Sequence, residues 1–352
     1  MKRILLVHTG GTIGSVSAKE QRDVNVSAAR RTLLSRFADS ASPYASLSEE
    51  LFEDAAFPYE TLSENMTPPK WTALLSYLGA LELSRYAGVI LLHGTDTLAY
   101  TASLLSLCFS DAPVPILLVA GARPPADPLT NAVANFSAAV SLIMEGIAPH
   151  VYVPYRNGDG AMYLHMGATL LQCPSFSDDF RSADPSQSLS LDAEPRSEVL
   201  EKCRMRSETR RGIRLLPGEL KTDAVLCLYP YVGLDYTRIA LDGVHAVLHG
   251  AYHSGTVCVE RGHVGEAYGK HSFLTLADAC SNRGIPLFIA PCAYTKEKYS
   301  TTADAVENGA AIPLFMTTES AYVKLCLGLS LGYEGERLIS FMKENQAGEI
   351  VG

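Results

Sequence analysis

The feature that most constrains the fold is a short apolar run at the start of the chain that ends in a glycine-rich loop. Residues 2–7 read KRILLV and lead into TGGTIG at residues 9–14. An apolar run of this length that ends at glycines is typical of a buried strand followed by a tight loop. Gly10 and Gly11 allow close approaches that a Cβ would prevent. We therefore predict that Thr12 lies just past the carboxyl end of a strand, where open α/β sheets bind ligands.

A second apolar run delivers a second loop of the same kind. Residues 86–92 lead into HGTDT at residues 93–97, which contains Gly94, Thr95 and Asp96. A threonine hydroxyl becomes a nucleophile only when a neighbour removes or orients its proton, so Thr12 as a nucleophile needs a partner. Thr95 could orient a water or relay a proton, and the carboxylate of Asp96 could bind an ammonium group.

The two motifs together resemble the signature motifs of the bacterial-type L-asparaginase/glutaminase family. The segments VAGARP at residues 119–124 and SENM at residues 63–66 also resemble that family, and the similarity runs along the whole chain. The resemblance implies that Thr12 is the nucleophile and that Thr95 and Asp96 form a second part of the site. It also implies that Asp96 holds the α-amino group of the substrate.

The same resemblance implies a set of substrate-binding residues. Ser63 matches the serine that binds the substrate α-carboxylate, and Ala120 matches the alanine that lines the amide pocket. Gly11 and Gly94 complete this set. Glu64 would favour a cationic group near the amino end of the substrate. The alternative is that Ser63 has a purely structural role, because a serine before a helix is usually structural.

The chain departs from the family pattern at two places. The family carries a lysine downstream of the HGTDT motif, whereas no lysine occurs between Lys70 and Lys202. By our placement His165 falls where the lysine is expected, and an unperturbed histidine can serve as a base. The alternative is that His165 is a core histidine whose hydrogen bonds are satisfied inside the protein and that it has no catalytic role. The family also carries a tyrosine shortly after the nucleophile, but the first tyrosine after Thr12 is Tyr44.

The order of the predicted elements favours an α/β fold in two domains. Strand-like runs alternate with helical periodicity up to about residue 154 and again from about residue 223, which favours parallel sheets with covered faces. Residues 174–220 are rich in Ser, Asp, Arg and Pro and show little periodicity. We predict a larger N-terminal catalytic domain over 1–195, a linker over 196–220 and a smaller C-terminal α/β domain over 221–352. Residues 15–25 are predicted to form a mobile loop.

Composition limits the partners and the location. A net charge of −9 argues against nucleic acid, because phosphate binding needs clustered basic charge. The chain lacks an apolar run that could span a bilayer, and its start lacks the apolar segment of a secretion signal. The eight cysteines form no C-x-x-C pair, as in reduced cytosolic proteins. We therefore predict a cytoplasmic protein that does not contact membranes.

Competing motifs do not favour another class of enzyme. GLSLG at residues 328–332 matches the G-x-S-x-G pattern but ends an apolar helical run instead of following a strand. His245, His249 and His253 are spaced like metal ligands on a helix, but their segment is strand-like and is broken by Gly250. Neither a dinucleotide motif nor a P-loop is present. We therefore predict no metal and no cofactor.

The family resemblance implies an amidohydrolase. Its expected reaction is hydrolysis of L-asparagine, or of a related side-chain amide, to the acid and ammonia through an acyl-threonine intermediate. It also implies a homodimer or homotetramer in which a neighbour's C-terminal domain closes the site. Two alternatives remain open: a non-catalytic amino-acid-binding or sensor protein derived from the family, and the amidase subunit of a tRNA-dependent amidotransferase.

Overall fold

The computed structural model describes residues 2–18, 21–54, 58–208, 211–215, 220–260, 268–292, 299–306 and 309–351. The chain divides into two compact units, which are residues 1–218 with 346–348, and residues 219–345 with 349–352. Within the described ranges no helix is long and apolar enough to cross a membrane.

The first unit is an α/β unit built on a seven-stranded sheet. Its described strands are β1 Ile4–His8, β2 Ser15–Ala18, β3 Gln21–Val24, β4 Phe52–Asp54, β5 Gly88–Leu92, β6 Ile116–Val119, β7 Val151–Arg156, β8 Met162–Met166 and β9 Leu189–Ser190. Its described helices are α1 Val26–Ala38, α2 Ser48–Leu51, α3 Pro68–Gly79, α4 Leu98–Phe109, α5 Ala132–Met144 and α6 Arg196–Arg206. The sheet order is β4-β1-β5-β6-β7-β8-β9.

The central strands are parallel and fully buried. Strands β4, β1, β5, β6 and β7 pair in parallel, whereas β8 and β9 pair antiparallel at one edge. Every residue of β1 and of β5 is buried, so both faces of the sheet are covered at these strands. This burial explains why both segments are continuous apolar runs instead of alternating ones. Their carboxyl ends lie at the same edge and deliver the two threonine loops side by side.

Helices α1 and α5 pack together over one face of the sheet. Helix α1 begins after Asn25, whose side chain accepts a hydrogen bond from the main-chain N–H of Ala28 at 3.0 Å. The rings of Phe37, Phe52 and Phe136 meet beneath these helices with centroid separations of 5.3 to 5.8 Å. This aromatic cluster belongs to the core that supports β1, β5 and β6.

Two segments differ from the sequence prediction. Residues 15–25 were expected to be a loop, but β2 and β3 form an antiparallel hairpin with Ser15 opposite Val24. Residues 196–206 belong to the predicted linker, yet they form α6 and bury Val199 and Cys203 completely. Only these two side chains of the helix are buried, so the segment shows little apolar periodicity in sequence.

The second unit is also α/β. Its described strands are β10 Val225–Leu228, β11 Ala246–His249, β12 Leu287–Ile289 and β13 Ile312–Pro313, and its described helices are α7 Phe273–Ser281, α8 Ser300–Val306, α9 Thr318–Ser330 and α10 Gly335–Lys343. The four strands form one parallel sheet in chain order. A mixed α/β architecture with a large parallel-sheet unit is therefore confirmed.

Candidate active site

The two threonine loops are in contact through their glycines. Gly10 and Gly11 have φ values of +102° and +72°. Residues other than glycine rarely adopt this region. A Cβ on Gly11 would lie 2.3 Å from both the Cα and the N atom of Gly94. A Cβ on Gly94 would in turn lie 2.4 Å from Oγ of Ser63. Three segments that are far apart in sequence therefore meet at distances that only glycine permits.

Backbone hydrogen bonds hold the first loop on both sides. On one side the N–H and the hydroxyl of Thr9 donate to the carbonyl of Leu92 at 3.2 and 2.8 Å. On the other side the N–H of Gly11 donates to the carbonyl of Thr61 at 2.8 Å, and the N–H of Thr61 donates to the carbonyl of Thr9 at 3.1 Å. The loop is thus fixed between the end of β5 and the segment that leads to Ser63.

Thr12 and Thr95 directly follow the two glycines that touch. Thr12 begins a short 3-10 turn, Thr12–Gly14, and both threonines are half-buried. Within the described part of the chain, neither hydroxyl has a hydrogen-bond partner. Both hydroxyls can therefore engage a substrate or a water without first breaking a bond.

Ser63 and Asp96 are joined by two hydrogen bonds. Oγ of Ser63 donates to Oδ2 of Asp96 at 2.8 Å and accepts from the N–H of Asp96 at 3.2 Å. The hydroxyl of Thr97 donates to the carbonyl of Ser63 at 2.9 Å. A serine hydroxyl has a single proton to donate. Ser63 could therefore donate to a substrate carboxylate only by releasing Asp96.

Glu64 and Ala120 occupy the borders of this site in different ways. Glu64 is exposed in the turn Ser63–Asn65, next to Ser63. Ala120 is completely buried directly after β6, and its carbonyl accepts a hydrogen bond from Nδ2 of Asn135 at 2.9 Å. Glu64 thus offers a charged side chain near the site, whereas Ala120 offers a small apolar one.

Gln172 is a residue at this site that the sequence analysis missed. Its Nε2 donates to the main-chain carbonyl of Asp96, although the two residues lie 76 positions apart in the chain. Among the described residues, neither a lysine nor an arginine contacts the carboxylate of Asp96. An amide therefore bonds the main chain of Asp96, whereas the carboxylate of Asp96 accepts from the hydroxyl of Ser63.

His165 does not join the threonine loops. It lies in β8, is 1% exposed, and its Nδ1 is 3.0 Å from Oγ of Ser182 and 3.4 Å from Oγ of Ser188. Strand β8 is three strands away from β5, or about 14 Å at the usual strand spacing of about 4.8 Å. Burial lowers the pKa of His165 to about 4. Burial alone sets the direction of this pKa shift, and Asp96 is not among the partners of His165.

We expect a substitution at His165 to alter acid stability more than catalysis. The folded pKa of about 4 lies below the ordinary value of 6.5. The unfolded state therefore binds more protons between these values, and the free energy of unfolding falls as the pH drops from 6.5 towards 4. For one such histidine the free energy of unfolding is lower at pH 5 than at neutral pH by about 2 kcal/mol. The free energy of unfolding of His165→Asn, measured with urea at pH 7.5 and pH 5, should therefore decrease less than that of the wild-type protein. The difference should be about this amount.

The same variant, His165→Asn, tests whether His165 takes part in catalysis. The rate of ammonia release at pH 7.5 should stay within about tenfold of the wild-type rate. A loss of about 10²–10⁴-fold, the usual contribution of a positioned acid or base, would restore His165 to the catalytic set.

His93, the first residue of the HGTDT motif, is also buried and neutral. Burial lowers its pKa to about 4, against smaller opposing effects of the Gly94 carbonyl and of Asp96. Its Nδ1 lies 2.8 Å from the carbonyl oxygen of Gly94 and donates to it. His93 thus supports the turn that presents Thr95.

Tyr44 and Tyr59, the first two tyrosines after Thr12, are packed in place. Tyr44 is half-buried against the aromatic core. Tyr59 precedes Thr61, which pairs with the first loop, and burial raises the pKa of the Tyr59 hydroxyl. The segment shortly after Thr12, where the family carries its tyrosine, forms the hairpin β2–β3 in this chain.

The competing motifs have structural roles. Ser330 lies in the last turn of α9, and its Oγ donates to the carbonyl of Cys326 at 2.6 Å. His249 is buried, with its Nε2 2.9 Å from the hydroxyl of Tyr236. In the described ranges, no group of three or more His, Cys, Asp or Glu side chains could hold a metal ion.

Comparison with known proteins agrees with this geometry. Residues 3–171 match the family model described as "Asparaginase, N-terminal", which includes both threonine loops and Ser63. Residues 3–171 of the chain belong to the asparaginase family. This is a family of amidohydrolases. Family membership confirms the resemblance on which the sequence prediction rests.

Three relatives of this asparaginase-family chain represent two kinds of protein, a glutamyl-tRNA(Gln) amidotransferase subunit and an L-asparaginase. A glutamyl-tRNA(Gln) amidotransferase subunit of Pyrobaculum aerophilum is 36% identical over 29% of the chain, but the match spans only 25% of that protein. The protein of the same name from Aeropyrum pernix is 27% identical over 99% of the chain and 79% of that protein. An L-asparaginase of Thermococcus kodakarensis is 24% identical over 76% of the chain and 77% of that protein.

A solved structure supports the same fold. The thermostable L-asparaginase from Thermococcus kodakarensis superposes with a TM-score of 0.70, at 21% identity and with 99% of each chain covered. At this identity the similarity establishes the fold of this asparaginase-family chain.

Proposed function

We propose that the chain hydrolyses the side-chain amide of L-asparagine, or of a closely related amino acid, through an acyl-threonine intermediate on Thr12. The contact between the Gly11 and Gly94 loops carries this proposal. It brings two threonine hydroxyls to one edge of a parallel sheet and leaves both without a protein partner in the described part of the chain.

We assign a role to each residue on the basis of this arrangement. The hydroxyl oxygen of Thr12 attacks the amide carbon and its proton is transferred to the departing nitrogen, which leaves as ammonia. A water oriented by Thr95 then attacks the acyl-threonine ester and regenerates the Thr12 hydroxyl. Glu64 and Asp96 place two carboxylates near the site. Such a charge distribution would favour the α-ammonium group of an amino-acid substrate over an uncharged amide.

The proposal is tested by ammonia release from a panel of amides. L-asparagine, L-glutamine and their D-enantiomers would be compared with propionamide, which lacks both the amino and the carboxylate group. We expect turnover of at least one L-amino-acid amide and none of propionamide. Equal rates for propionamide and L-asparagine would contradict recognition of the amino group by carboxylates.

Asp96→Asn should weaken amino-acid binding. The substitution removes the charge that would face the substrate ammonium and keeps the shape of the side chain, so Ser63 can still bond to the amide oxygen. Hydrogen bonds to charged groups contribute about 1.5–3 kcal/mol, which corresponds to about 10–100-fold in affinity. Calorimetry with L-aspartate, the expected product, would measure the change. An unchanged dissociation constant would remove Asp96 from the binding set.

A second candidate is the amidase subunit of a tRNA-dependent amidotransferase. Its support is the glutamyl-tRNA(Gln) amidotransferase relative from Aeropyrum pernix, which matches 99% of this chain. An amidase subunit would require a partner protein for full activity, whereas a free-standing amidohydrolase would reach full activity alone. Activity of the purified chain, with and without proteins that co-purify with it from its own cells, separates the two.

The third candidate is an amino-acid-binding protein without turnover. It is supported by the carboxylate of Asp96, which contacts no cation among the described residues. L-aspartate binding without ammonia release from any amide of the panel would select this function. A homodimer or homotetramer and a cytoplasmic location stay predictions, and sedimentation of the purified chain would test the first.

A further inference from the structure

A surface pocket of about 450 Å³ lies beside helix α5 in the first unit. It is enclosed by the stretch after α1, one side of α5, the adjoining ends of β7 and β8, and the start of α6. Thr12, Ser63, Thr95 and Asp96 are not among its lining residues, so the pocket is separate from the candidate active site. Its volume is in the range that small organic ligands occupy.

Two arginines with unused donors line this pocket. Nε of Arg196 lies 2.9 Å from Oε2 of Glu145, but its Nη1 is shielded from solvent and has no hydrogen-bond partner. Arg156 is exposed, and in the described part of the chain its guanidinium contacts no carboxylate. A shielded donor without a partner is unfavourable, so a ligand that supplies an acceptor would be favoured here.

The start of α6 adds further donors at the same wall. The helix runs over eleven residues from Arg196, and no side chain caps its first turn. The main-chain N–H groups and the dipole of a helix start favour an anion, against the opposing negative charge of Glu198 in the same turn. Ser137 also lines the pocket, and its Oγ is shielded from solvent without a partner. Guanidinium and hydroxyl donors therefore line one space, next to the start of a helix.

The rest of the lining would suit an organic group that carries hydroxyls. Val133, Ala138 and Leu191 provide apolar surface. Asp192 also lines the pocket, and its Oδ2 accepts the main-chain N–H of Met162 at 2.8 Å. Its other carboxylate oxygen would repel a bare anion but can accept a hydrogen bond from a ligand hydroxyl.

We propose that this pocket binds a small hydroxylated organic phosphate. The phosphate lies between Arg156, Arg196 and the start of α6, where guanidinium groups and main-chain donors bind its oxygens. The hydroxylated part lies along the side of α5 and reaches Asp192. The ligand is bound and not transformed at this place.

The test is a binding measurement with the full chain. Glucose 6-phosphate is the probe, glucose is the uncharged comparison, and inorganic phosphate is the comparison without an organic part. We expect glucose 6-phosphate to bind more tightly than inorganic phosphate, and glucose not to bind. Because each arginine contributes a charged hydrogen bond, Arg156→Ala and Arg196→Ala should each weaken glucose 6-phosphate binding at least about tenfold.

Arg204→Ala is the matched control. Arg204 lies on the same helix and is paired with Glu201 at 2.7 Å, but it does not line the pocket. Its loss should leave binding unchanged. Arg156 is exposed and makes no ion pair in the described part of the chain, so Arg156→Ala should fold normally even if Arg196→Ala does not. Wild-type protein that binds no glucose 6-phosphate at about 10 mM, or an Arg156→Ala variant that binds it equally well, would overturn the proposal.

Discussion

Thr12→Ala should reduce amide hydrolysis by at least about 10⁴-fold, because removal of a catalytic nucleophile leaves only the contribution of binding and positioning. Thr12 follows the glycine that touches the second loop, and its side chain makes no hydrogen bond in the described part of the chain. The substitution therefore breaks no contact of the fold, and the free energy of unfolding should change by less than about 1 kcal/mol. Ammonia release and urea unfolding, measured on the same preparation, would check both expectations.

Thr12→Ser is the matched control for this prediction. Serine keeps a hydroxyl at the same place and should retain measurable turnover, whereas alanine should not. Mass spectrometry after rapid acid quench should detect an acyl group on the peptide that contains residue 12 in the wild-type protein and not in the alanine variant. An alanine variant with near wild-type turnover would show that Thr12 is not the nucleophile. An acyl group on Thr95 would exchange the roles of the two threonines.

The meeting of the threonine loops could be predicted because the physical signals are local. Parallel strands buried on both faces require continuous apolar runs, and β1 and β5 show them plainly. Each run ends at glycines where the backbone must approach another backbone, as Gly11 and Gly94 do. Strand, loop and approach are therefore encoded within a few residues of one another.

The contacts of His165 and Gln172 could not be predicted in this way. The choice of His165 rested on distance counted along the chain, whereas its surroundings depend on its place in the antiparallel edge of the sheet. Gln172 bonds to Asp96 because of the path that the chain takes after β8. Gly167 on that path marks a close approach to α4, but nothing in the sequence indicates that Gln172 reaches Asp96. Likewise, the hairpin β2–β3 is too short and too polar for its alternation to be visible in sequence.

Lys324→Met should destabilise the second unit by about 3–5 kcal/mol, the usual cost of removing one partner of a buried ion pair. Lys324 lies within α9, and its Nζ is 2.7 Å from Oε1 of Glu349, with both side chains fully buried. Its other donors bind the carbonyl of Met342 at 3.3 Å and that of Glu344 at the end of α10. A lysine ammonium has three donors, so all of them are used and three acceptors lose their donor together.

The energetic argument separates the charge from the packing. Methionine fills much of the space that the lysine stem occupies, so a small cavity contributes little to the loss. The main cost is the loss of the Lys324 cation beside the buried carboxylate of Glu349. Replacing that carboxylate as well should recover part of the lost stability, so Lys324→Met combined with Glu349→Met should be less destabilising than the sum of the two single variants. Recovery should be incomplete, because the carbonyls at the end of α10 still lack the lysine.

Lys343→Met is the control for the loss of a positive charge. Lys343 is exposed in the last turn of α10, where a cation contributes only a few tenths of a kcal/mol up to about 1 kcal/mol through the helix dipole. Hydrogen exchange of the main-chain amides in α9 and α10 would follow the second unit specifically, which a single unfolding midpoint for the whole chain would not. Faster exchange in Lys324→Met, with wild-type exchange in Lys343→Met, is expected. Equal exchange in both variants would show that the buried pair does not stabilise this part of the chain.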